Sequence, residues 1–323
     1  MKSVDYEVLS RELIRALRGR RSQVALSRRL KYKSNVVYLW ESGRNWPTAA
    51  VFLWAASRVG VDVDAALSSF YRQPPSWLDG IERQTIARLL DDLRGQTPIL
   101  ALAQRTGRSR YAVARWLKGQ SEPRLPDFLR LLEACSQRLL DFVSRFVDPA
   151  ALPSVSGIWA QLQAARTLVG RLPWAPAVLL AMQTAAYADL EEHRPGFLSE
   201  RLGLPEDVEE ECIELLATSG QIHWANGKWH VAEVVTIDTR ADPRAGRRLK
   251  EWWAEVGIQR MHDTPDGVFS YNVFSVSSAD FERLKQMHLA HFRAMRALIS
   301  ASHPEQRVCV ANLQLFPLER ESG

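Results

Sequence analysis

The sequence predicts two halves of different fold class: a mainly α N-terminal half made of two helix-turn-helix bundles, and an α+β C-terminal half with a winged helix and a small sheet. Three observations lead to this prediction. The first half contains an internal repeat, apolar residues recur there at helical spacing, and residues 196–231 and 268–316 contain alternating apolar and polar stretches. Recurrence every three to four residues is typical of amphipathic helices, and alternation is typical of half-buried strands.

The internal repeat relates residues 17–53 to residues 93–129, a shift of 76 positions without a gap. Twelve of the 37 aligned positions are identical, namely Leu17/Leu93, Arg18/Arg94, Gly19/Gly95, Ala25/Ala101, Leu26/Leu102, Arg29/Arg105, Val37/Val113, Trp40/Trp116, Gly43/Gly119, Pro47/Pro123, Phe52/Phe128 and Leu53/Leu129. Self-similarity at a fixed spacing is the signature of a duplicated structural unit. The sequence therefore predicts two copies of one small helical unit.

Each copy is predicted to contain four helices. In the first copy they cover 9–20, 22–30 and 34–42, and the fourth begins at Pro47. Ser22 stands where a helix N-cap is expected, Gly43 stands where a helix ends, and proline is favoured in the first helical turn. The second copy follows the same plan, with helices expected at 83–94, 98–106, 109–118 and 124–135, and one more at 136–147.

Proline-rich junctions at 73–80 and 148–157 separate the copies from each other and from the second half. There, helices are expected at 158–170, 174–192, 197–204 and 205–220, followed by a hairpin at 221–231 that turns at Ala225-Asn226-Gly227. Two helices followed by a hairpin are typical of a winged helix. Beyond it we expect helices at 244–262 and 278–300 and strands of one sheet at 268–277 and 307–316. The predicted domains are therefore 1–72, 81–147, 155–240 and 241–323.

Charge is divided unevenly along the chain. Residues 1–147 hold 25 Lys and Arg against 14 Asp and Glu, a balance of +11, and the remaining residues hold 17 against 23, a balance of −6. A basic first half favours a polyanionic partner, with ordinary variation in surface charge as the alternative. The three cysteines lie far apart and fit free thiols in a reducing compartment. Neither a membrane span nor a signal peptide is expected, so the predicted location is the cytoplasm.

Two stretches carry a specific resemblance to a known family. They read SQVALSRRLKYKSNVVYLWESGRNWP in the first copy and ALAQRTGRSRYAVARWLKGQSEP in the second. Both resemble the lambda-repressor/Cro-type helix-turn-helix family, also called the Xre type. The first copy matches the family pattern at Ser22, Gln23, Leu26, Leu30, Val37, Trp40, Glu41, Gly43 and Pro47. The second copy departs from it at Ile99 and Leu117, where the family has Gln and Glu.

The resemblance implies that the third helix of each copy enters the major groove of DNA, where side chains near its N-terminus reach base edges. The residues expected to contact DNA are Gln23, Lys33, Ser34, Asn35, Tyr38 and Arg44 in the first copy, and Ser109, Arg110, Tyr111, Arg115 and Lys118 in the second. Among them we expect Lys33 and Asn35 to read bases and Arg44 to contact phosphate. The alternative for either copy is a packing module that no longer binds DNA.

Residues 155–318 are similar to an uncharacterised bacterial domain of unknown function, on stretches such as VFSYNVFSVSSADFERLKQ and VCVANLQLFPL. The winged-helix part of this region carries acidic residues where a DNA-reading helix would lie, namely Glu206, Asp207, Glu209, Glu210, Glu211 and Glu214. Such a surface repels phosphates, whose charge dominates affinity for DNA. We therefore expect a protein-interaction or structural role for this module. The alternative is DNA contact by the hairpin through Lys228.

These observations predict a sequence-specific DNA-binding transcriptional regulator that uses tandem helix-turn-helix heads, with a C-terminal half for dimerisation or signal input. The expected partners are double-stranded DNA and a second copy in a homodimer, with the choice between a protein and a small-molecule effector left open. No nucleophile motif, phosphate loop or metal-ligand spacing is present, so we expect neither an enzyme nor a cofactor. The alternative function is a protein-interaction adaptor or antitoxin-like component that does not rely on DNA.

Overall fold

The computed structural model describes residues 4–71, 83–232, 243–299 and 301–319. The chain is mostly helical, with a small two-stranded antiparallel sheet in its C-terminal part, as the sequence predicts. It divides into two compact units, Met1–Leu162 and Gln163–Gly323. Within the described ranges, no helix combines the length and the apolar character that crossing a bilayer requires.

The first repeat contains five helices, one more than predicted: α1 (Tyr6–Arg18), α2 (Gln23–Arg29), α3 (Val36–Glu41), α4 (Ala49–Val59) and α5 (Val63–Phe70). A side chain at the N-cap of each helix accepts a backbone N–H from its first turn, and these caps are Asp5, Ser22, Asn35, Thr48 and Asp62. N-caps of this kind stabilise a helix by about 1 kcal/mol each. Local capping therefore fixes where these short helices begin.

The second repeat has the same five helices: α6 (Arg83–Arg94), α7 (Ile99–Thr106), α8 (Arg110–Leu117), α9 (Leu125–Ser136) and α10 (Leu139–Val143). The helix expected at 136–147 is thus a single short one. Gln137, with a φ of 53°, ends α9 in the left-handed conformation. Helix α5 aligns with α10 at the same shift of 76 residues, so the repeated unit is longer than residues 17–53 suggest.

Aromatic side chains from both repeats form one core. Phe142 of α10 has its ring centroid 5.6 Å from Phe70 of the first repeat and 5.6 Å from Phe128 of the second. Phe52 lies 5.8 Å from Phe146 in the same cluster. These spacings fall in the range of favourable edge-to-face and tilted ring contacts. The two repeats are therefore joined by a continuous hydrophobic core.

After the 3-10 turn at Pro149–Ala151, helix α11 (Ser156–Arg171) leads into the second unit. The predicted helix at 174–192 is broken into two pieces that meet at buried Thr184. The elements that follow are α12 (Ala175–Ala181), α13 (Ala185–Ala188), α14 (Phe197–Leu202), α15 (Glu206–Thr218), β1 (Ile222–Ala225) and β2 (Lys228–Val231). The two strands pair Trp224 with Trp229, and Asn226 and Gly227 both adopt positive φ in the turn. The predicted hairpin is confirmed.

The last part of the chain departs from prediction. Helices α16 (Pro243–Asp263) and α17 (Ser278–Ile299) form as expected. The strands predicted at 268–277 and 307–316 do not form, and both stretches are irregular and largely exposed. A strand needs a neighbour for its backbone hydrogen bonds. The one sheet found among the described residues consists of β1 and β2, and neither stretch pairs with it.

Candidate nucleic-acid interface

A buried serine links α3 of the first repeat to the helix before it. Ser27 of α2 is 1% exposed. Its Oγ accepts the backbone N–H of Val37 at 3.1 Å, and its single proton is shared between the Gln23 carbonyl at 2.8 Å and Asn35 Oδ1 at 3.2 Å. One hydroxyl thus connects α2 to both the N-cap and the first turn of α3. This side chain fixes the angle between the two helices of the motif.

A second polar cluster links the far end of α3 to the rest of the bundle. The carboxylate of Glu41, itself buried, accepts hydrogen bonds from Arg18 Nε at 2.6 Å and from Gln23 Nε2 at 2.7 Å. Charge-assisted bonds of this length are about twice as strong as neutral ones. The structure places one N–H of the Gln23 amide on a protein carboxylate, and the DNA contact expected of this residue stays a prediction. The Gln and Glu of the family pattern are partners in this copy.

The second repeat replaces this polar pair by an apolar pair. Ile99 and Leu117 occupy the positions aligned with Gln23 and Glu41, and Leu117 is buried. Arg94, aligned with Arg18, forms an ion pair with Asp91 at 2.7 Å instead. Removing both partners of a buried hydrogen bond together avoids leaving either one unsatisfied. The two departures from the family pattern are therefore one coordinated change inside the bundle.

The predicted contact residues of the first repeat lie around the start of α3. Lys33 and Ser34 are exposed in the turn before the helix. Asn35 is its N-cap, and Oδ1 accepts the N–H of Tyr38 at 3.3 Å. Because that oxygen serves the cap, a bidentate contact to adenine would break it. Tyr38 is 41% exposed, and the Arg44 guanidinium carbon stacks 5.5 Å from its ring centroid.

The second repeat presents a different set of side chains at the same place. Ser109 is the N-cap of α8, and its Oγ accepts the N–H of Ala112 at 3.2 Å. Arg110 and Tyr111 begin the helix, with Tyr111 84% exposed. Arg115 and Lys118 are exposed towards its other end. Helix α8 begins two positions earlier than α3 in the alignment, so its exposed N-terminal turn is longer.

The two repeats meet through reciprocal backbone hydrogen bonds. The N–H of Ala49 donates to the carbonyl of Pro123 at 3.1 Å, and the N–H of Leu125 donates to the carbonyl of Pro47 at 2.9 Å. These four residues form two aligned pairs, since 47 corresponds to 123 and 49 to 125. The bridge between them joins Thr48 to Arg124, which are also aligned.

Helix packing follows the same symmetry. Helix α1 of the first repeat packs on α9 of the second. The equivalent helices of the opposite repeats, α6 and α4, also pack on each other. Helices α5 and α10, which are also aligned, contact each other directly. Reciprocal contacts between equivalent surfaces define an isologous, two-fold arrangement. Unit 1 is therefore a pseudo-dimer within one chain, and α3 and α8 are related by its pseudo-two-fold axis. The sequence repeat alone did not predict this pairing.

The region of the second unit that was predicted to be a winged helix has an acidic exposed face. Its helix α15 exposes Glu206, Asp207, Glu210, Glu211 and Glu214. Glu209 of the same helix is buried, and its Oε2 accepts the N–H of Ser199 in the first turn of α14. Burial raises the pKa of this carboxyl above its ordinary value, and the backbone N–H groups of Ser199, Leu198 and Gly196 oppose that rise. Glu209 therefore caps a neighbouring helix.

The lysine of the hairpin also makes hydrogen bonds within the protein. Lys228 Nζ donates to the carbonyls of Ala188 at 2.7 Å and of Leu190 at 3.0 Å. This arrangement ties β2 to the segment after α13. It weakens the alternative in which the hairpin uses Lys228 to contact DNA, because the ammonium group already serves a structural role.

Comparison with protein families assigns this second half. Residues 158–318 match the DUF4423 family, a domain of unknown function. The match confirms the expected domain of unknown function and begins after the second repeat. Comparisons with curated proteins and with solved structures gave no match.

The DUF4423 domain has its own hydrophobic core, built from α12, α14, α15 and β1, with Tyr187 as its largest fully buried side chain. Trp174 packs edge-on against Trp252 and Trp253 of α16, with centroids 5.2 and 5.5 Å apart. These tryptophans are therefore packing residues in the DUF4423 domain. Across the described part of the chain, no three His, Cys, Asp or Glu side chains come together as a metal site requires.

Proposed function

We propose that the chain is a sequence-specific DNA-binding transcriptional regulator that reads duplex DNA with α3 and α8. The observation that carries the proposal is the pseudo-two-fold pairing of the two repeats through Pro47, Ala49, Pro123 and Leu125. Helix-turn-helix proteins of this type read two half-sites with two recognition helices related by a two-fold axis. Here one chain supplies both helices.

Charge and exposure support the same proposal. Residues 1–147 carry a balance of +11, and phosphate neutralisation provides most of the affinity for DNA. Lys33, Ser34 and Tyr38 provide the polar surface around the start of α3, and Arg110 and Tyr111 provide it for α8. In this assignment Arg44 and Lys118, beyond the ends of the two helices, contact the phosphate backbone and fix the orientation of the heads.

The arrangement favours an inverted-repeat target. A pseudo-two-fold axis between the heads presents α3 and α8 in opposite directions along the duplex, which matches two half-sites of opposite polarity. The side chains of the two heads differ, so the two half-sites are expected to differ in sequence. In this proposal the acidic DUF4423 domain stays off the phosphates and receives a protein or small-molecule signal.

Selection from a random duplex pool with the full-length chain tests the proposal. We expect an enriched inverted repeat with two unlike half-sites and binding that weakens steeply with salt. Lys33→Ala should relax preference in one half-site and Arg110→Ala in the other, each with a loss of about 1–3 kcal/mol at the contacted base pair. Arg58→Ala, at an exposed arginine on α4, is the matched control and should retain both preferences. Absence of any enriched sequence at low salt contradicts the proposal.

The acidic face of α15 supports a second candidate, an interaction adaptor that binds a basic protein surface. Its acidic residues Glu206, Glu210 and Glu214 line an open cavity of about 450 Å³ together with His193 and Trp229. Charge-reversing Glu210→Lys and Glu214→Lys together should abolish partner capture in this alternative. They should leave selection of a DNA site unchanged if the regulator proposal holds.

A further inference from the structure

The exposed apolar side chains are concentrated in one part of the molecule. Of the 23 large hydrophobic side chains that the described residues expose, seventeen lie between Ile258 and Leu318. Val268 and Tyr271 are each 94% exposed, and Leu298 is 74% exposed. Scattered exposed apolar residues are ordinary, but an accumulation of this size marks an interaction surface.

The helix at the centre of this region is at most half-buried within the part of the chain that the structure describes. Helix α17 is 22 residues long and contains no buried residue. It exposes Met287, Phe292 and Ile299 among others. Most helical stability in proteins comes from packing of an apolar face, and α17 buries none of its apolar side chains fully. The flanking stretches 268–277 and 307–316 have strand-like alternation and pair with no strand among the described residues.

We propose that residues 243–319 form a homodimer interface, in which this segment of one chain packs against the same segment of a second copy. Its stretches 268–277 and 307–316 have the alternation of strands, and in the dimer a second copy supplies the neighbouring strands that neither stretch has among the described residues. Helix α17 then buries its apolar residues against the partner. The inference is independent of DNA binding, since unit 1 already pairs its own two heads.

The available area fits a stable dimer. Added together, the exposed fractions of these seventeen residues equal about ten fully exposed side chains. At on the order of 150–200 Å² for each large side chain, they present about 1,500–2,000 Å² per protomer. A standard stable interface needs about 800 Å² per partner, and obligate dimers bury more. The segment therefore offers enough apolar surface for a dimer that remains associated at low concentration.

Charge favours a second copy as the occupant. Residues 243–319 hold ten Lys and Arg and eight Asp and Glu, a near balance in which both signs are interspersed. Such a surface meets its own copy without strong like-charge repulsion, whereas residues 1–147, at +11, repel theirs. A strongly acidic or basic partner has no matching excess of charge to recognise on residues 243–319. The surface thus fits a self-complementary contact with little net charge.

Sedimentation equilibrium of the full-length chain without DNA tests the proposal. A dimer has twice the protomer mass of 36.6 kDa. Tyr271→Glu and Leu298→Glu should each weaken dimerisation at least tenfold, because both place a charge in the proposed apolar contact. Leu180→Glu, at a 45% exposed leucine outside the segment, is the matched control and should remain dimeric. Circular dichroism checks that each variant retains its helical content.

A monomeric wild-type chain at tens of micromolar overturns the proposal. So does a dimer that both glutamate variants leave intact, since the copies then meet elsewhere. Hydrogen exchange gives a second measure that needs no substitution. Amides of residues 268–277 should become more protected as protein concentration rises, and amides of α4 should not change. Protection that is independent of concentration across the dissociation range contradicts an intermolecular contact. Because DNA is absent throughout, failure here is distinct from failure of the DNA-binding proposal.

Discussion

Exchange of the Gln23–Glu41 pair for the apolar pair of the second repeat tests how α3 is held against the rest of its repeat. Glu41→Leu removes the acceptor of both Arg18 and Gln23. The side chain of Arg18 is 19% exposed and also donates to the carbonyl of Arg21 at 2.5 Å, so part of its hydrogen bonding survives. We expect the free energy of unfolding to fall by about 2–3 kcal/mol, below the loss for a fully buried pair.

Gln23→Ile alone removes one hydrogen bond and leaves Glu41 paired with Arg18, so a smaller loss of about 1 kcal/mol is expected. The double variant should lose about 1–2 kcal/mol less than the two single losses together, because no amide is then left facing leucine. Urea unfolding of the four proteins gives the double-mutant cycle, and hydrogen exchange of α2 and α3 locates the effect. Single losses that add within about 0.5 kcal/mol refute the coupling of these side chains.

Three further predictions concern stability. Trp40→Ala, at a side chain 4% exposed in the first head, should lower the free energy of unfolding by about 3–5 kcal/mol in urea titration; a stable variant that has lost only DNA binding would show that Trp40 faces outward. Glu122→Ala removes the carboxylate that accepts the N–H of Ala50 in the other repeat. It should lower the free energy of unfolding by about 0.5–2 kcal/mol in the same titration. Glu7→Ala serves as a surface control. Burial lowers the pKa of His193 below its ordinary 6.5, so the unfolded chain takes up its proton first. Stability from this group should be complete above about pH 6.5 and be lost as pH falls through the lower folded pKa, and His193→Gln should flatten this fall in melting temperature.

Local signals in the sequence account for much of the fold. Ser22 and Gly43 mark helix ends through a cap and a left-handed turn, and each acts within a few residues, so sequence reasoning finds them. Helix α5 was missed although Phe70 and Phe146 continue the alignment. That pattern is too short to stand out without the packing on α10 that stabilises it.

Long-range features were less accessible. The committed role of Gln23 depends on Glu41, eighteen residues away, and the pairing of the repeats depends on backbone atoms of Pro47 and Pro123, which leave no mark in the identity of a side chain. The strands expected at 268–277 and 307–316 do not form, for a related reason. Alternation reports what a segment needs on its two faces, and it does not report whether the same chain provides the neighbour.

In the proposed regulator, the two helix-turn-helix units belong to one chain. This has a consequence for the DNA sequences that the protein can recognise. A symmetric homodimer recognises the same half-site sequence twice, because both of its DNA-reading surfaces have the same amino-acid sequence. Here each head has its own residues, so α3 and α8 can change independently while Thr48 and Arg124 keep the joint intact. The joint is also unimolecular, so dilution does not separate the heads. In the proposed regulator, the sequence preference at either half-site can therefore change while the other is kept.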